Sequence, residues 1–366
     1  MRIQSLQLTH FRNFSAQKLS FTEGKNVFIG KNAQGKSNML EAMYCLSNLR
    51  SFRTAKVSEM IQWEKEGFFL RGEVYSKGTR NEITIYYSPQ KRRITRNGQT
   101  VARATDVLGL LYTVVFSPTD MMLVKGDPSI RRRFIDTLLA QISQPYRISL
   151  QNYHKILKEK NAVLKSERIN DTLLSTYNQQ LAESGSNIIC LRQRLVNKLA
   201  ESGNDIFNQF SAGKGNLQLH FSTIYDTIPS LSQDKALAVF QQLLDEKKQQ
   251  EKKRRISLIG PHRDDMVIEI NGIDAKKFAS EGQKRAITIS LKMAEFAVAR
   301  EIFGEPPVVL IDDVFGELDA EKKAVLNHIV QATEQTFVTC TEKENVAGLA
   351  RNARLYKVEH GRIQTC

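Results

Sequence analysis

Residues 30 to 37 read GKNAQGKS and fit G-x-x-x-x-G-K-[ST], with Gly30, Gly35, Lys36 and Ser37 at the fixed positions. These residue types at this spacing can hold a polyphosphate. The glycines let the backbone curl until successive N–H groups point at phosphate oxygens. A helix opening there adds its partial positive charge. Lys36 then reaches the β- and γ-phosphates of ATP, and the Ser37 hydroxyl ligates Mg2+. The candidate cofactor-binding residues are Gly30, Lys31, Asn32, Ala33, Gln34, Gly35, Lys36 and Ser37. Chance produces such a match in on the order of 1% of chains this long at average composition, so context decides. A strand must lead in and a helix must lead out. Asn26-Val27-Phe28-Ile29 is an apolar run before the loop, and Met39, Leu40, Met43 and Leu46 recur at helical spacing after it.

Hydrolysis needs more: an acidic residue at the end of a buried strand for Mg2+, and a group to orient water. The stretch VVLIDD, 308 to 313, supplies both. Four apolar residues followed by Asp312 fit the acidic strand end, and Asp313 is placed to polarise water. Lys36, Asp312 and Asp313 are thus the catalytic candidates, with Ser37 and Asp312 as Mg2+ ligands. Lys36 and Asp312 are 276 positions apart (312 − 36). If both serve one nucleotide, the section between them leaves the nucleotide fold and returns to it, which predicts two lobes. Ser280-Glu281-Gly282-Gln283 opens the helix before the acidic strand and makes a second anion site. It suits a γ-phosphate held across a dimer, in trans, through Ser280, Gly282 and Gln283. The plain structural alternative is an ordinary helix cap. Gly316-Glu317-Leu318-Asp319 could line the same seam.

The elements that must position these groups make an α/β chain. Residues 1 to 29 read as strands, and 36 to 48 as the helix after the loop. From 66 to 116 apolar and polar residues alternate, with an Asn97-Gly98 hairpin signal, as in an antiparallel meander ending at Val114-Val115-Phe116. Helical spacing covers 129 to 165 and 172 to 210. In the latter, Gly185 and Gly203 predict two or three shorter helices. A helix over 232 to 255 ends in the charged run EKKQQEKKRR. The β/α texture then returns, with a helix at 282 to 302, a buried strand at 308 to 311 and a helix at 320 to 334. The boundaries are 1–116 and 256–366 for the two parts of an ATPase lobe, and 117–255 for a helical insertion lobe.

The chain has 366 residues, 41% hydrophobic and 25% charged, ordinary for a globular protein. Its net charge of +14 favours a polyanionic partner such as nucleic acid. No apolar run approaches the roughly 20 residues of a membrane span, and the N-terminus lacks a signal-peptide core. Cys45, Cys190, Cys340 and Cys366 are far apart in sequence, so neither a zinc ribbon nor a CxxC is present. A reducing cytoplasm is the expected location.

The phosphate loop, SEGQ before the acidic strand, and an acidic pair followed by GELD together resemble an ABC-type ATPase head of the SMC-like group. PTDMMLVKGDPSIRRRFID, 118 to 136, and LIGPHRDD, 258 to 265, narrow the resemblance to the RecF family of bacterial DNA replication and repair proteins. It covers essentially the whole chain. It implies a P-loop head with a mixed sheet, an antiparallel meander and an inserted, mainly helical second lobe. It also implies an ATP-bound homodimer on DNA, slow hydrolysis, and RecA loading at gaps with RecR and RecO. By position, Arg12 and Asn13 match a segment near the nucleotide in SMC-like heads. The sequence departs from the pattern at Glu281, at Gly316 and at Asp313, where most ABC ATPases carry Glu. Val338-Thr339-Cys340-Thr341 holds no switch His, and the Gln loop has no clear place.

Two other classes stay open. A transporter ATPase subunit is disfavoured by the missing His, the basic charge and the large insertion. A DNA-binding protein with a vestigial ATP site would show no ATP binding by calorimetry. No NKxD motif supports a GTPase. For DNA phosphates, the 247 to 255 cluster has the highest charge density. Lys91, Arg92, Arg93 and Arg96 flank a hairpin, and Arg131-Arg132-Arg133 follow a Gly-Asp-Pro turn. His262, Asp264 and Asp265 fit no standard zinc spacing and read as a structural turn. Trp63, the one tryptophan, is expected to pack between helix and meander.

Overall fold

The computed structural model describes residues 1–210, 215–223, 232–315, 320–342 and 353–366. Two compact units emerge: Met1–Met121 with Thr288–Cys366, and Met122–Ile287.

The first unit has two sheets. Strands β1 (Arg2–Phe11) and β2 (Phe14–Ser20) form a hairpin; β3 (Gly24–Ile29) leads into α1 (Lys36–Asn48). Then follow β4 (Phe68–Ser76), β5 (Thr79–Tyr87), β6 (Arg92–Arg96), β7 (Gln99–Thr100) and β8 (Thr113–Phe116). The antiparallel sheet runs β2-β1-β4-β5-β6-β7. Its inner positions Leu6, Leu8, Leu70, Val74, Ile83 and Ile85 are buried, as period-2 patterning dictates. The meander expected over 66 to 116 therefore ends at β7. β8 belongs to the other sheet, because all four of its residues are buried, which suits an interior strand covered on both faces.

The second unit contains α2 (Met122–Lys125), α3 (Pro128–Ile142), α4 (Gln144–Lys165), α5 (Asp171–Phe210), β9 (Leu217–Ser222), α6 (Gln233–Arg254), β10 (Asp265–Ile270), β11 (Ile273–Asp274), α7 (Ala275–Phe278) and the start of α8 (Glu281–Phe303). α5 is one continuous helix of 40 residues, where the glycines predicted breaks. Gly185 serves packing instead: a Cβ there would lie 2.3 Å from Phe240 of α6. The unit runs on to Ile287, beyond the expected boundary at 255, because β10 pairs with β9 from Asp265↔Ser222 to Ile270↔Leu217. A strand cannot be separated from the sheet that satisfies its backbone.

The chain then returns to the first unit. β12 (Val308–Asp312), α9 (Ala320–Ala332), β13 (Gln335–Cys340), β14 (Ala353–Glu359) and β15 (Arg362–Thr365) complete it. The second sheet of this unit runs β15-β14-β3-β13-β12-β8, parallel except for β15. α1 touches strands of both sheets. Met39, Leu40, Ala42, Met43, Cys45 and Leu46 are buried along it, which marks a core helix, not a surface one. The helix that opens at the phosphate loop is thus also the core of its unit.

Candidate nucleotide-binding site

Open α/β sheets bind ligands at the carboxyl ends of their strands, where the phosphate loop follows β3 and Asp312 ends β12. Gly35 takes φ +113° and would place a Cβ 2.6 Å from the Asn13 side chain. Gly30 would place one 2.3 Å from the Val358 carbonyl oxygen. Only a residue without a Cβ fits such approaches. Asn13 braces the loop: its Nδ2 donates to Gln34 O at 2.9 Å, and its Oδ1 accepts from Asn38 Nδ2 at 2.8 Å. The β14–β15 turn braces it too, with Gly361 N donating to Gln34 O at 3.2 Å and His360 N to Gln34 Oε1 at 2.6 Å. Lys36 curls inward, its Nζ donating to Gly30 O at 2.6 Å and Lys31 O at 3.0 Å. Carbonyl oxygens orient the ammonium without neutralising it, so its charge remains available to an anion.

Ser37 meets Asp312 across 275 positions, Oγ donating to Oδ1 at 2.7 Å. The same Oδ1 accepts from Thr339 Oγ1 at 2.9 Å. Asp312 and Thr339 are direct neighbours in the β12–β13 register. Asp313 follows with φ +53°, its N–H donating to Thr339 Oγ1 at 3.0 Å. Thr339 therefore holds both acidic residues. Sequence reasoning passed over it while looking for a histidine; its place at the end of an apolar strand was the available signal. Mg2+ takes hard oxygen ligands, and the Ser37 hydroxyl beside the Asp312 carboxylate is such a pair. Mg2+ and a polyphosphate fit the residues present.

Arg12 and Asn13 form the β1–β2 turn but differ in reach. Asn13 touches the phosphate loop. Arg12 closes on Glu41, a fully buried carboxylate of α1, with Nε to Oε2 at 2.8 Å and Nη2 to Oε1 at 2.6 Å. Its Nη1 donates to Glu59 O at 2.6 Å. All three guanidinium nitrogens are engaged, so Arg12 positions the turn that carries Asn13. Arg53, not foreseen, donates to Asn38 Oδ1 at 2.6 Å in the first turn of α1.

In the second unit, Ser280 Oγ accepts from Gln283 N at 3.2 Å, and Gln283 Oε1 accepts from Ser280 N at 2.9 Å. This is a capping box, so the plain alternative for Ser280 is present. A Cβ on Gly282 would meet nothing nearer than Ser280 Oγ, at 3.9 Å, so the first turn of α8 is uncovered there. Gly316 to Asp319 lie outside the described residues.

His262, Asp264, Asp265 and Arg131 are engaged within the second unit. His262 Nδ1 bonds the Tyr153 hydroxyl at 2.6 Å, and burial pushes its pKa down to about 4. Arg131 is buried and bidentate to Asp265, at 2.7 Å from each oxygen. Arg192 bridges Asp136 and Asp264. Among the described residues no group of three or more His, Cys, Asp or Glu could hold a metal. Trp63 is 91% exposed, contrary to the packing expected. Gln62 N is pinned to His10 O and Lys65 N to Gln62 O, so a tight turn carries Trp63 away from the core.

A braced phosphate loop, an acidic strand end beside it and a capped SEGQ helix on an inserted unit define an SMC-like ABC-type ATPase head. The RecF/RecN/SMC N-terminal domain family matches residues 2–364. The DNA replication and repair protein RecF of Clostridium perfringens is 37% identical, with all of both chains covered. That of Natranaerobius thermophilus is 36% identical over 99% of this chain and 97% of its own. The chain belongs to the RecF family. Among solved structures, the recombination mediator protein RecF-ATP in the RecFOR pathway superposes with a TM-score of 0.92 at 32% identity, covering 100% of this chain and 97% of that one. The Smc head domain of Pyrococcus furiosus shares the fold, with a TM-score of 0.56 at 15% identity, covering 100% and 95%. Among the described residues no helix is long and apolar enough to cross a membrane.

Proposed function

We propose that this protein is a weak, Mg2+-dependent ATPase that uses ATP to close a homodimer on DNA. In this reading it serves recombinational repair and replication restart in the cytoplasm, helping to load RecA at single-strand gaps with RecR and RecO. The observation that carries the ATP site is the contact of Ser37 and Thr339 on one oxygen of Asp312, beside a loop whose lysine points inward. Solved RecF-ATP relatives of the same fold support it.

ATP supplies the γ-phosphate and Mg2+ the charge that lets a phosphoryl group transfer. The chain's residues do the rest. Backbone N–H groups of 31 to 37 would bind phosphate oxygens, that of Gly30 being donated to Cys340 O. Lys36 would contact the phosphates. Ser37 and Asp312 would hold Mg2+. Asp313 orients water, and its carboxylate is shorter than the glutamate commoner in ABC ATPases, which fits slow turnover. Ser280, Gly282 and Gln283 cap the partner's nucleotide.

Dimerisation tests the reading. In light scattering with ATP the wild type is expected to dimerise, and Lys36→Arg and Ser280→Arg to remain monomeric. Lys36→Arg removes the phosphate contact within a subunit; Ser280→Arg blocks the seam. Dimers indifferent to both changes would sink the proposal.

A further inference from the structure

Residues 83 to 105 carry Lys91, Arg92, Arg93, Arg96 and Arg103 and no Asp or Glu. Lys91 leads into β6, which carries Arg92, Arg93 and Arg96 next to the short edge strand β7, and all four are exposed. Arg92 Nη2 donates to Leu49 O at 3.2 Å, Arg93 Nε to Thr100 Oγ1 at 3.3 Å, and Arg96 Nε to Asn81 Oδ1 at 3.0 Å. Every one of these acceptors is neutral. Among the described residues, none of the four cations pairs with a carboxylate. The hairpin is stiff: Asn97 and Gly98 both take positive φ, as a type I′ turn requires, and Asn97 Oδ1 accepts from Glu82 N at 2.8 Å.

Several other basic groups are paired with carboxylates. On the neighbouring strands Arg71 pairs with Glu82 and Arg80 with Glu73. In the 247 to 255 cluster, richest by sequence, Lys248 and Lys252 share Asp171, at 3.4 and 2.6 Å. Glu251 in that run is buried against Lys160. Charge density along the chain favours α6, but two of the six cations in 247 to 255 are paired with Asp171, whereas among the described residues none of the four on the hairpin meets a carboxylate.

We propose that the β6–β7 hairpin is a docking surface for the phosphate backbone of duplex DNA, a proposal that rests on the DNA-binding reading above. Guanidiniums held by neutral acceptors are oriented yet keep their full charge, as phosphate recognition needs. Tyr86, opposite Arg93 in the ladder, is 38% exposed, and Tyr87, opposite Arg92, stacks on Phe68. The patch thus offers charge with little stacking surface, which reads backbone and not bases.

The test is fluorescence anisotropy with a 30-base-pair duplex and ATP across a salt series. Lys91→Gln/Arg93→Gln/Arg96→Gln is compared with wild type and with Lys247→Gln/Lys253→Gln/Arg254→Gln. Each lost phosphate contact should cost roughly five-fold at 0.15 M salt, on the order of 100-fold for three, and should flatten the log–log salt slope by about 0.9. The α6 variant is expected within two-fold of wild type. Calorimetry should find ATP affinity unchanged in the hairpin variant, and a matching circular dichroism melt excludes misfolding. If the hairpin variant binds like wild type, or the α6 variant loses as much, the surface is elsewhere and the DNA-binding reading stands. If wild type binds no duplex at all, that reading falls and the hairpin with it.

Discussion

Asp312→Asn is expected to lower Mg2+-dependent ATP turnover by roughly 100- to 1,000-fold, the usual cost of removing one well-placed electrostatic group from a phosphoryl-transfer site. The substitution is close to isosteric. Its amide oxygen can still accept from Ser37 and Thr339, which now share Oδ1 at 2.7 and 2.9 Å. Folding stability should therefore hold. The negative charge beside the Ser37 hydroxyl is lost. ATP binding measured without Mg2+ should be little changed, because the loop N–H groups and Lys36 are untouched. The split between the two conditions is the diagnostic. Wild-type turnover in this variant would remove Asp312 from the site, and with it the link between the phosphate loop and β12.

Lys160→Met should destabilise the second unit by about 3–5 kcal/mol. Both Lys160 and Glu251 have fully buried side chains, 2.7 Å apart. Burial pushes the lysine pKa down against the pull of Glu251. Methionine fills similar space but leaves the carboxylate without its cation. Glu251 Oε1 also accepts from Leu258 N at 2.7 Å and Ser257 Oγ at 3.1 Å, so the pair anchors the start of LIGPHRDD to α6. The unit's melting temperature should fall by roughly 10 °C. Adding Glu251→Gln should restore most of the loss, since glutamine keeps an acceptor and sheds the charge. A double variant no better than the single would assign the cost to packing. Chemical denaturation of the four proteins in a double-mutant cycle measures the coupling.

Local chemistry was legible because it lies in short stretches. GKNAQGKS needs only its own glycines, lysine and serine to announce an anion loop, and VVLID its own apolar run to announce a buried strand. The period of Met39, Leu40, Met43 and Leu46 was enough for α1, as Asn97-Gly98 was for the hairpin turn. Where a reading needed a partner distant in sequence, it was open. Gly185 looked like a break until Phe240 was seen against it. Val114 to Phe116 looked like the end of a meander until β12 was beside them. The 247 to 255 run has the highest charge density, and only the fold shows Asp171 engaging two of its cations. Arg12 is expected near the nucleotide by resemblance, and only the fold shows its ion pair with Glu41.

The sequence by itself determined the residue types of the phosphate site, the need for an insertion between residues 36 and 312, and the family. Only the tertiary structure decided which charges are cancelled and which face outward, and that Thr339 holds Asp312 and Asp313. Bonding within a loop or helix depends on residues a few positions apart. The compensation of a charge depends on whichever group the fold carries to within a few ångströms, and no spacing along the chain specifies that.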